Sequence, residues 1–220
     1  MTTLREVKKL VAPLLARHPD LALAERGIFL RPVHHFARFI YVSATSSANQ
    51  FMLGWAATAM FYPPTFVNVT QGETLGRKGR LWLLDEPDVE DELVSNIENR
   101  ALPKLRAMKT LRDYAGHALP KDPVQRSYLG RLDLRFRLAF GELDEAARLL
   151  SEEICAPDRT ILDRESEGLS ERVKEVGAGI SAGDREAIAR VLHRLEARMA
   201  ASLKLEKIWE PTPFPLELAR

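Results

Sequence analysis

Disulfides, secretion signals and membrane spans all lack support in this sequence. Cys155 is the one cysteine among 220 residues, so the chain can form neither an internal disulfide nor a cysteine metal cluster. Charged residues interrupt the start of the chain, where a signal peptide requires an apolar segment. The apolar run that ends at Tyr62 is far shorter than the roughly 20 residues of a membrane-spanning helix. We therefore expect a protein without a membrane span that resides in the cytoplasm.

Motifs for catalysis, metal binding and nucleotide binding are also lacking. The chain contains no His-Glu-x-x-His and no Asp-rich calcium loop, and His117 and His193 lie on unrelated segments. The glycines from Gly72 to Gly79 do not have Walker spacing, so a hairpin turn is the preferred interpretation. We predict no catalytic residues, no metal and no cofactor. A non-enzymatic function is favoured, although an enzyme is not excluded.

Charge is unevenly distributed along the chain. The net charge is +1, but residues 1–84 carry ten Lys and Arg against four Asp and Glu, whereas residues 85–220 carry 22 against 27. The basic part could face an acidic partner or nucleic acid. Its Lys and Arg residues are scattered singly rather than clustered, so nucleic acid is not an expected partner.

What the sequence does contain is a strand-forming segment without charge, Phe51–Phe61. Both of its alternating faces are apolar, so neither face can lie in water, which is typical of the central strand of a sheet. The smaller of the two faces allows another layer to pack closely. One predicted face carries Phe51, Leu53, Trp55, Ala57, Ala59 and Phe61, and the other carries Met52, Gly54, Ala56, Thr58 and Met60.

Further β-forming segments surround this strand and predict an antiparallel meander of about five strands. An amphipathic helix precedes them, from Leu4 to about Arg17. A helix that Asp88 can cap and a short segment over residues 102–111 follow them. The fold class is therefore α+β. The predicted strands are residues 27–31, 36–45, 51–61, 65–70 and 80–84, with a turn from Gly72 to Gly79.

The second half of the chain has the pattern of α-helical hairpins. Apolar residues recur at helical spacing on either side of Gly141 and again on either side of Gly183. The chain ends in a Pro-rich tail, which Trp209 and Phe214 are expected to lay on the body. We predict an α+β sheet domain over residues 1–115 and a helical hairpin region with this extended tail over residues 124–220. The two are predicted to pack together as one body.

One polar segment is a candidate for interaction with a partner. His34 and His35 follow Pro32, and Arg31 and Arg38 flank them. The two guanidinium groups and the imidazoles could therefore bind an anion together. The alternative is a surface turn between two strands with ordinary solvated side chains.

Three segments of the sequence carry a resemblance to known proteins. They are Leu30-Arg31-Pro32-Val33-His34-His35 within the meander, Trp82 in the last predicted strand, and Leu102-Pro103-Lys104-Leu105 in the following helix. The order of elements that contains them, over roughly residues 1–155, resembles uncharacterised bacterial α+β domain families of unknown function. Some members of those families are suspected immunity or interaction proteins. The resemblance implies no catalytic residues.

Together these observations favour a non-enzymatic cytoplasmic module that binds another protein, with an immunity-like role among the options. The surfaces offered are the sheet edge, the Arg31–Arg38 segment and the helical hairpins. The alternative is a small-molecule-binding protein or an enzyme with a pocket between sheet and helices. A deep pocket with converging Arg and His side chains would favour the alternative, and a shallow face with an exposed apolar patch would favour the first. The sequence does not indicate the oligomeric state.

Overall fold

The computed structural model describes residues 3–47, 49–62, 71–76, 81–122, 130–155 and 175–218. An antiparallel sheet forms the centre of the molecule, and helices pack against it. The predicted α+β class, with C-terminal helical hairpins, is confirmed.

A π-helical turn, Ile97–Ala101, joins the second helix to the third. The strands are β1 (Leu21–Ala24), β2 (Gly27–Leu30), β3 (Phe36–Ala44), β4 (Gln50–Ala59), β5 (Gln71–Thr74) and β6 (Trp82–Leu83). The helices are α1 (Leu4–Arg17), α2 (Val89–Asn96), α3 (Leu102–Ala107), α4 (Leu111–Ala118), α5 (Gly130–Phe140), α6 (Leu143–Cys155), α7 (residues 175–182), α8 (Arg185–Ser202) and α9 (Pro215–Leu218).

The sheet has the strand order β1-β2-β3-β4-β5, and β6 also pairs with β4. The longest pairing joins β3 to β4, from Phe36 opposite Ala59 to Ala44 opposite Phe51. β5 and β6 lie end to end along the other side of β4, because β5 pairs with Gly54–Ala57 and β6 with Gln50–Phe51. β4 is therefore the central strand, as its two apolar faces predicted.

The two faces of β4 belong to two separate clusters of buried residues. Phe51, Leu53 and Trp55 lie in the larger cluster, together with side chains of α1 to α5. Ala56 and Met60 lie in the smaller cluster, where Met199 and Ala200 of α8 pack against the sheet. The division into an odd-numbered and an even-numbered face, read from the alternation of side chains, is confirmed.

Two strands differ from the sequence-based expectation. Gln71–Thr74 forms β5, so the predicted turn from Gly72 to Gly79 is wrong over these residues. Its Gly and polar residues have low strand propensity, and its pairing with β4 decides its conformation instead. β1 was missed because Leu-Ala-Leu-Ala is short and poor in β-branched residues.

The last predicted strand is shorter than expected, and one predicted strand lies outside the described residues. Of the described residues 81–84, Trp82–Leu83 pair in the sheet, with the beginning of β4. The indole of Trp82 donates a hydrogen bond of 2.6 Å to the Leu75 carbonyl. The predicted strand over residues 65–70 falls in the part of the chain that the structure does not describe.

Local sequence signals account for where several helices begin and turn. The predicted first helix is confirmed, and Thr3 and Glu6 form a capping box at its start. Asp88 occupies the N-cap position of α2, but its side chain makes no capping hydrogen bond. Pro103 lacks an N–H and crowds the preceding turn, which explains the wider π-helical turn just before it.

The two predicted helical turns are present. Gly141 lies between α5 and α6 with φ of 75°, and Gly183 lies between α7 and α8 with φ of 64°. Both values fall in the left-handed region, which glycine enters without the steric cost of a Cβ. The glycine after each apolar helical stripe therefore marks a helix end, as the sequence indicated.

The larger cluster contains residues from both predicted regions of the chain. Val7, Leu93 and Tyr114 come from residues 1–115, and Phe136 and Leu192 come from residues 124–220. The C-terminal tail also joins it, because Phe214 is fully buried. α4 extends to Ala118, beyond the predicted end of the sheet domain. That the two regions behave as one body remains a prediction.

Candidate functional site

Arg31 and His34 each contact a backbone carbonyl group of another segment. Arg31 is exposed, and its guanidinium donates a hydrogen bond to the Pro19 carbonyl oxygen. Nδ1 of His34 lies 3.0 Å from the carbonyl oxygen of Glu210 in the C-terminal tail. These contacts tie the segment before β3 to the start of β1 and to the tail.

Arg38 points to the face of the sheet that the helices cover. It lies on the same face as Phe36 and Ile40, and its Nη1 donates a 2.8 Å hydrogen bond to the Met108 carbonyl at the end of α3. Burial lowers the pKa of Arg38, with the Asp20 charge opposing the shift. A cation is well placed at a helix C-terminus, where carbonyl groups lack partners. The structure therefore does not bring the Arg31 and Arg38 guanidinium groups to one common group.

His35 is buried and enters a polar cluster that no sequence motif indicated. Its Nδ1 lies 2.8 Å from Oε1 of Glu196, a residue of α8 that is 0% exposed. Its Nε2 lies 3.2 Å from the Thr212 hydroxyl and 3.3 Å from the Pro213 carbonyl oxygen. The imidazole also stacks on the Phe214 ring, with centroids 4.0 Å apart. His35 thus joins the start of β3 to α8 and to the tail.

His193 completes the cluster one helical turn before Glu196. Its Nδ1 lies 3.3 Å from Glu196 Oε2, and its Nε2 lies 2.9 Å from Glu217 Oε2 on α9. The same Glu217 oxygen accepts a 2.7 Å hydrogen bond from the Phe214 backbone N–H. We call His35, His193, Glu196 and Glu217 the His–Glu cluster.

The electrostatics of the His–Glu cluster favour a charged His193. Hydrogen bonding to Glu196 raises the pKa of His193 above its ordinary value of 6.5, with Glu217 adding to the effect and burial opposing it. Both ring nitrogens face carboxylates, an arrangement that holds an imidazolium. Because both nitrogens already have partners, neither is free to act as a base on an outside substrate. The geometry is that of a structural link between α8 and the tail.

A groove lies where the C-terminal end of α8 leaves part of the sheet accessible. Its floor is aromatic, because the Phe29 and Phe39 rings stack at 5.1 Å and Tyr41 follows Phe39 at 6.4 Å. The volume is about 510 Å³, and we call it the aromatic groove. It is lined by Ala24, Glu25, Arg26, Gly27, Phe29, Phe39, Tyr41, Val42, Ser43, Ala44, Ser202 and Leu203.

Two glycines allow the aromatic rings to lie flat on the sheet. A Cβ on Gly27 would come 2.9 Å from Cζ of Phe29, and a Cβ on Gly54 would overlap the Tyr41 ring. Gly27, Tyr41 and Gly54 are also direct neighbours across β2, β3 and β4. Rings that cover strand glycines restore the packing that a glycine lacks. The floor of the groove is therefore broad and apolar.

An ion pair between Glu25 and Lys204 lies at the rim of the aromatic groove. Both residues have an unusual backbone conformation. Glu25 and Lys204 have φ of 50° and 55°, in the left-handed region that few non-glycine residues adopt. The Lys204 ammonium contacts the Glu25 carboxylate, and this hydrogen bond lowers the pKa of Glu25. The pair joins the β1–β2 turn to the end of α8.

Sequence reasoning missed both the His–Glu cluster and the groove. His193 and Glu196 are three residues apart on an amphipathic helix, a spacing that predicts mutual contact but not burial. The groove requires the side-by-side register of β2 and β3, which no single segment of the sequence contains. Of the predicted site residues, only His35 belongs to the cluster, and none lines the groove.

Metal binding and membrane insertion find no support in the described residues. They contain no group of three or more His, Cys, Asp or Glu side chains arranged to hold a metal ion. Among their helices, none combines the length and hydrophobicity of a transmembrane span.

No protein-family model matches the chain, and no curated protein or solved structure matches it either.

Proposed function

We propose that the protein is a non-enzymatic module that binds another protein through the aromatic groove. The observation that carries the proposal is the groove itself, a cavity of about 510 Å³ that lies over the buried Phe29 and Phe39 rings and the half-buried Tyr41 ring. Aromatic surfaces that receive an anchoring side chain are typical of the energetic centre of protein interfaces. The one cysteine in the sequence supports a cytoplasmic site of action.

The ionisable groups of the groove do not favour catalysis. Glu25 is paired with Lys204 at the rim, and the other ionisable lining residues are Arg26 and Tyr41. The histidines of the His–Glu cluster face carboxylates elsewhere in the molecule. A general acid–base mechanism needs a titrating group within hydrogen-bond reach of a bound substrate, and the groove offers no histidine or aspartate for it.

The end of β3 indicates how a partner segment would be held. β2 pairs with Phe39–Tyr41, and the Val42 N–H donates to the Arg26 carbonyl, whereas Ser43 and Ala44 pair only with β4 among the described residues. The outer side of β3 at Ser43–Ala44 can therefore accept an extended chain. We infer a partner that adds a short extended segment there and places an aromatic or aliphatic side chain on the groove floor.

Quantitative affinity purification with a groove-filling variant tests this function. Ser43→Trp introduces an indole on the same strand face as Tyr41, and Ser181→Trp makes the same change at an exposed position of α7. Proteins that bind the groove will co-purify with the wild type and with Ser181→Trp, and will be depleted about tenfold with Ser43→Trp. Each such protein is then titrated directly against the purified variants.

One outcome of this experiment would contradict the proposal. If every co-purifying protein is retained by folded Ser43→Trp, the aromatic groove is not the interaction surface. An immunity-like role would require that the groove-dependent partner is a toxin whose activity the wild type suppresses and Ser43→Trp does not.

A small-molecule-binding role is the second candidate. The groove lies between the sheet and the end of α8, and a flat apolar ligand would fit over its aromatic floor. Native mass spectrometry of the purified protein distinguishes the two candidates. A bound small molecule that is lost in Ser43→Trp would support this candidate in place of protein binding.

A further inference from the structure

A second cleft, independent of the aromatic groove, lies between α4 and α5. It encloses about 300 Å³, at the lower end of the range for small-molecule sites. Gly116 of α4 forms part of its wall, and a Cβ there would meet no atom within 4 Å. We call it the α4–α5 cleft. It is lined by Arg112, Ala115, Gly116, Leu119, Pro120, Lys121, Asp133, Phe136, Arg137, Phe140 and Glu142.

The inner part of the α4–α5 cleft is apolar and flat. The Phe136 and Phe140 rings are nearly parallel, with an interplanar angle of 13° and centroids 6.2 Å apart. Ala115 and the open position at Gly116 face them from α4. Phe136 is only 1% exposed, so the aromatic surface that a planar apolar body could cover on entering between the two helices is the half-buried Phe140 ring.

The acidic side chains of the cleft are already bound. Nε of Arg137 donates a 3.1 Å hydrogen bond to Oδ1 of Asp133, a residue that is 4% exposed, and Nη1 of Arg137 contacts Glu142. The hydrogen bond to Glu142 and the Asp133 charge raise the pKa of Arg137 against the opposing effect of burial. Contacts with Arg137 therefore hold Asp133 and Glu142 together in the wall of the cleft.

Arg112 is a basic side chain of the cleft that can still donate hydrogen bonds to a ligand. Its guanidinium lies over the Phe140 ring at 4.5 Å, and its Nη2 is 3.9 Å from Glu142 Oε1, too far for a hydrogen bond. Its side chain is 74% exposed, so it can turn toward a ligand. Lys121 adds a second positive charge at the same opening. Among the described residues, the lining has three basic and two acidic side chains, and the acids are engaged by Arg137.

We propose that the α4–α5 cleft binds a small organic carboxylate whose planar apolar body lies against the half-buried Phe140 ring. The carboxylate accepts hydrogen bonds from the Arg112 guanidinium and is attracted by Lys121. A cationic ligand would meet these two positive charges, and a neutral ligand would leave them without a partner. This ligand site does not depend on protein binding at the aromatic groove.

Isothermal titration with 2-naphthoate tests the assignment, because this probe joins a planar apolar body to one carboxylate. The wild type is expected to bind one equivalent. Arg112→Gln should weaken binding roughly tenfold, as expected for the loss of one charge-assisted hydrogen bond, and Arg112→Lys should retain part of the affinity. Gly116→Trp should abolish binding, because the indole occupies the open space beside α4.

Matched controls separate the cleft from general effects. Arg148→Gln removes the same charge from α6, where Arg148 pairs with Glu145 and Glu152 outside the cleft, and should leave the affinity unchanged. Neutral 2-naphthamide should bind at least about tenfold more weakly than 2-naphthoate.

Three results would overturn the proposal. They are the absence of saturable 2-naphthoate binding to the wild type, equal affinity for 2-naphthamide, and loss of binding in Ser43→Trp with full binding in Arg112→Gln. The last result would place the probe in the aromatic groove. If Gly116→Trp does not fold, the exposed Arg112→Gln change still decides the question.

Discussion

At the scale of single residues, the buried carboxylates of the described residues, Asp133 and Glu196, both contact basic side chains. Glu196 is fully buried and lies within hydrogen-bond distance of both His35 and His193. Removing water from a carboxylate is costly, and two imidazole partners offset that cost. The His–Glu cluster therefore holds the tail through electrostatic contacts as well as through the burial of Phe214.

The stability of the protein should depend on the protonation of His193. Its folded pKa is raised, so its stabilising contribution is fully present below the ordinary pKa of 6.5 and is lost as the pH rises through the folded value. We expect the free energy of unfolding to fall more steeply in the wild type than in His193→Gln as the pH rises from 6.5 through the folded pKa of His193. Urea unfolding at several pH values measures this difference. Parallel pH profiles for the two proteins would contradict the raised pKa.

The backbone conformation of Lys204 determines the effect of substituting this residue. It occupies the left-handed position after α8, and the Leu205 N–H donates to the Ala200 carbonyl at 2.8 Å, as in a Schellman motif. Glycine is preferred there, so Lys204→Gly should raise the melting temperature by roughly 2–4 °C despite the loss of the exposed Glu25 pair. Lys204→Ala serves as the control and should lower it. A lower melting temperature for Lys204→Gly would show that the ion pair outweighs the strain.

At the scale of elements, the sheet depends on close contacts that only glycine permits. Gly54 lies under the Tyr41 ring, and a Cβ at this position would also come 2.9 Å from the Glu73 carbonyl oxygen of β5. β5 is further held by Glu73, whose carboxylate binds Lys104 and Arg100 of the helical layer. Hydrogen bonds from these two cations lower the pKa of Glu73 to about 2. The edge of the sheet is thus fixed by backbone packing and by surface charge.

Two Gly→Ala substitutions should have opposite effects on stability. Gly54→Ala should reduce the free energy of unfolding by about 1–3 kcal/mol, because the added methyl group displaces the Tyr41 ring and the β5 backbone. Gly116→Ala should increase it by about 0.5–1 kcal/mol, because alanine is favoured within a helix and the space is open. Denaturant unfolding compares both with the wild type. Equal effects of the two changes would contradict the close approach at Gly54.

At the scale of the whole molecule, one apolar cluster extends from α1 to α9. Leu14 and Leu53 of the first half lie in it with Phe136 and Leu216 of the second. The free energy of a shared apolar core is lost when either part unfolds, so the parts should unfold together.

We therefore expect a single unfolding transition in calorimetry, with the calorimetric and van't Hoff enthalpies equal. Limited proteolysis near residues 116–123 should not release two folded pieces. Moderate salt should change the melting temperature little, because surface charge contributes less than the apolar seam. Two stable fragments with separate transitions would instead establish the two predicted regions as independent domains.

The sequence alone determined those features that depend on local periodicity. The two apolar faces of β4, the stripe of α1 and the glycines between paired helices all follow from neighbouring residues. A side chain's direction in a helix or strand is fixed by its position in the repeat, so these elements can be predicted without knowledge of their partners.

Only the tertiary structure determined that segments of low strand propensity form strands. It also determined where the His–Glu cluster and the aromatic groove lie. β5 is a strand because β4 pairs with it, and Arg38 is half-buried because α3 ends above it. His35 and Glu196 are separated by 161 residues, and the aromatic groove combines three strands with the end of α8. Contacts of this kind depend on which surfaces the folded chain brings together, and no local pattern of residues contains that information.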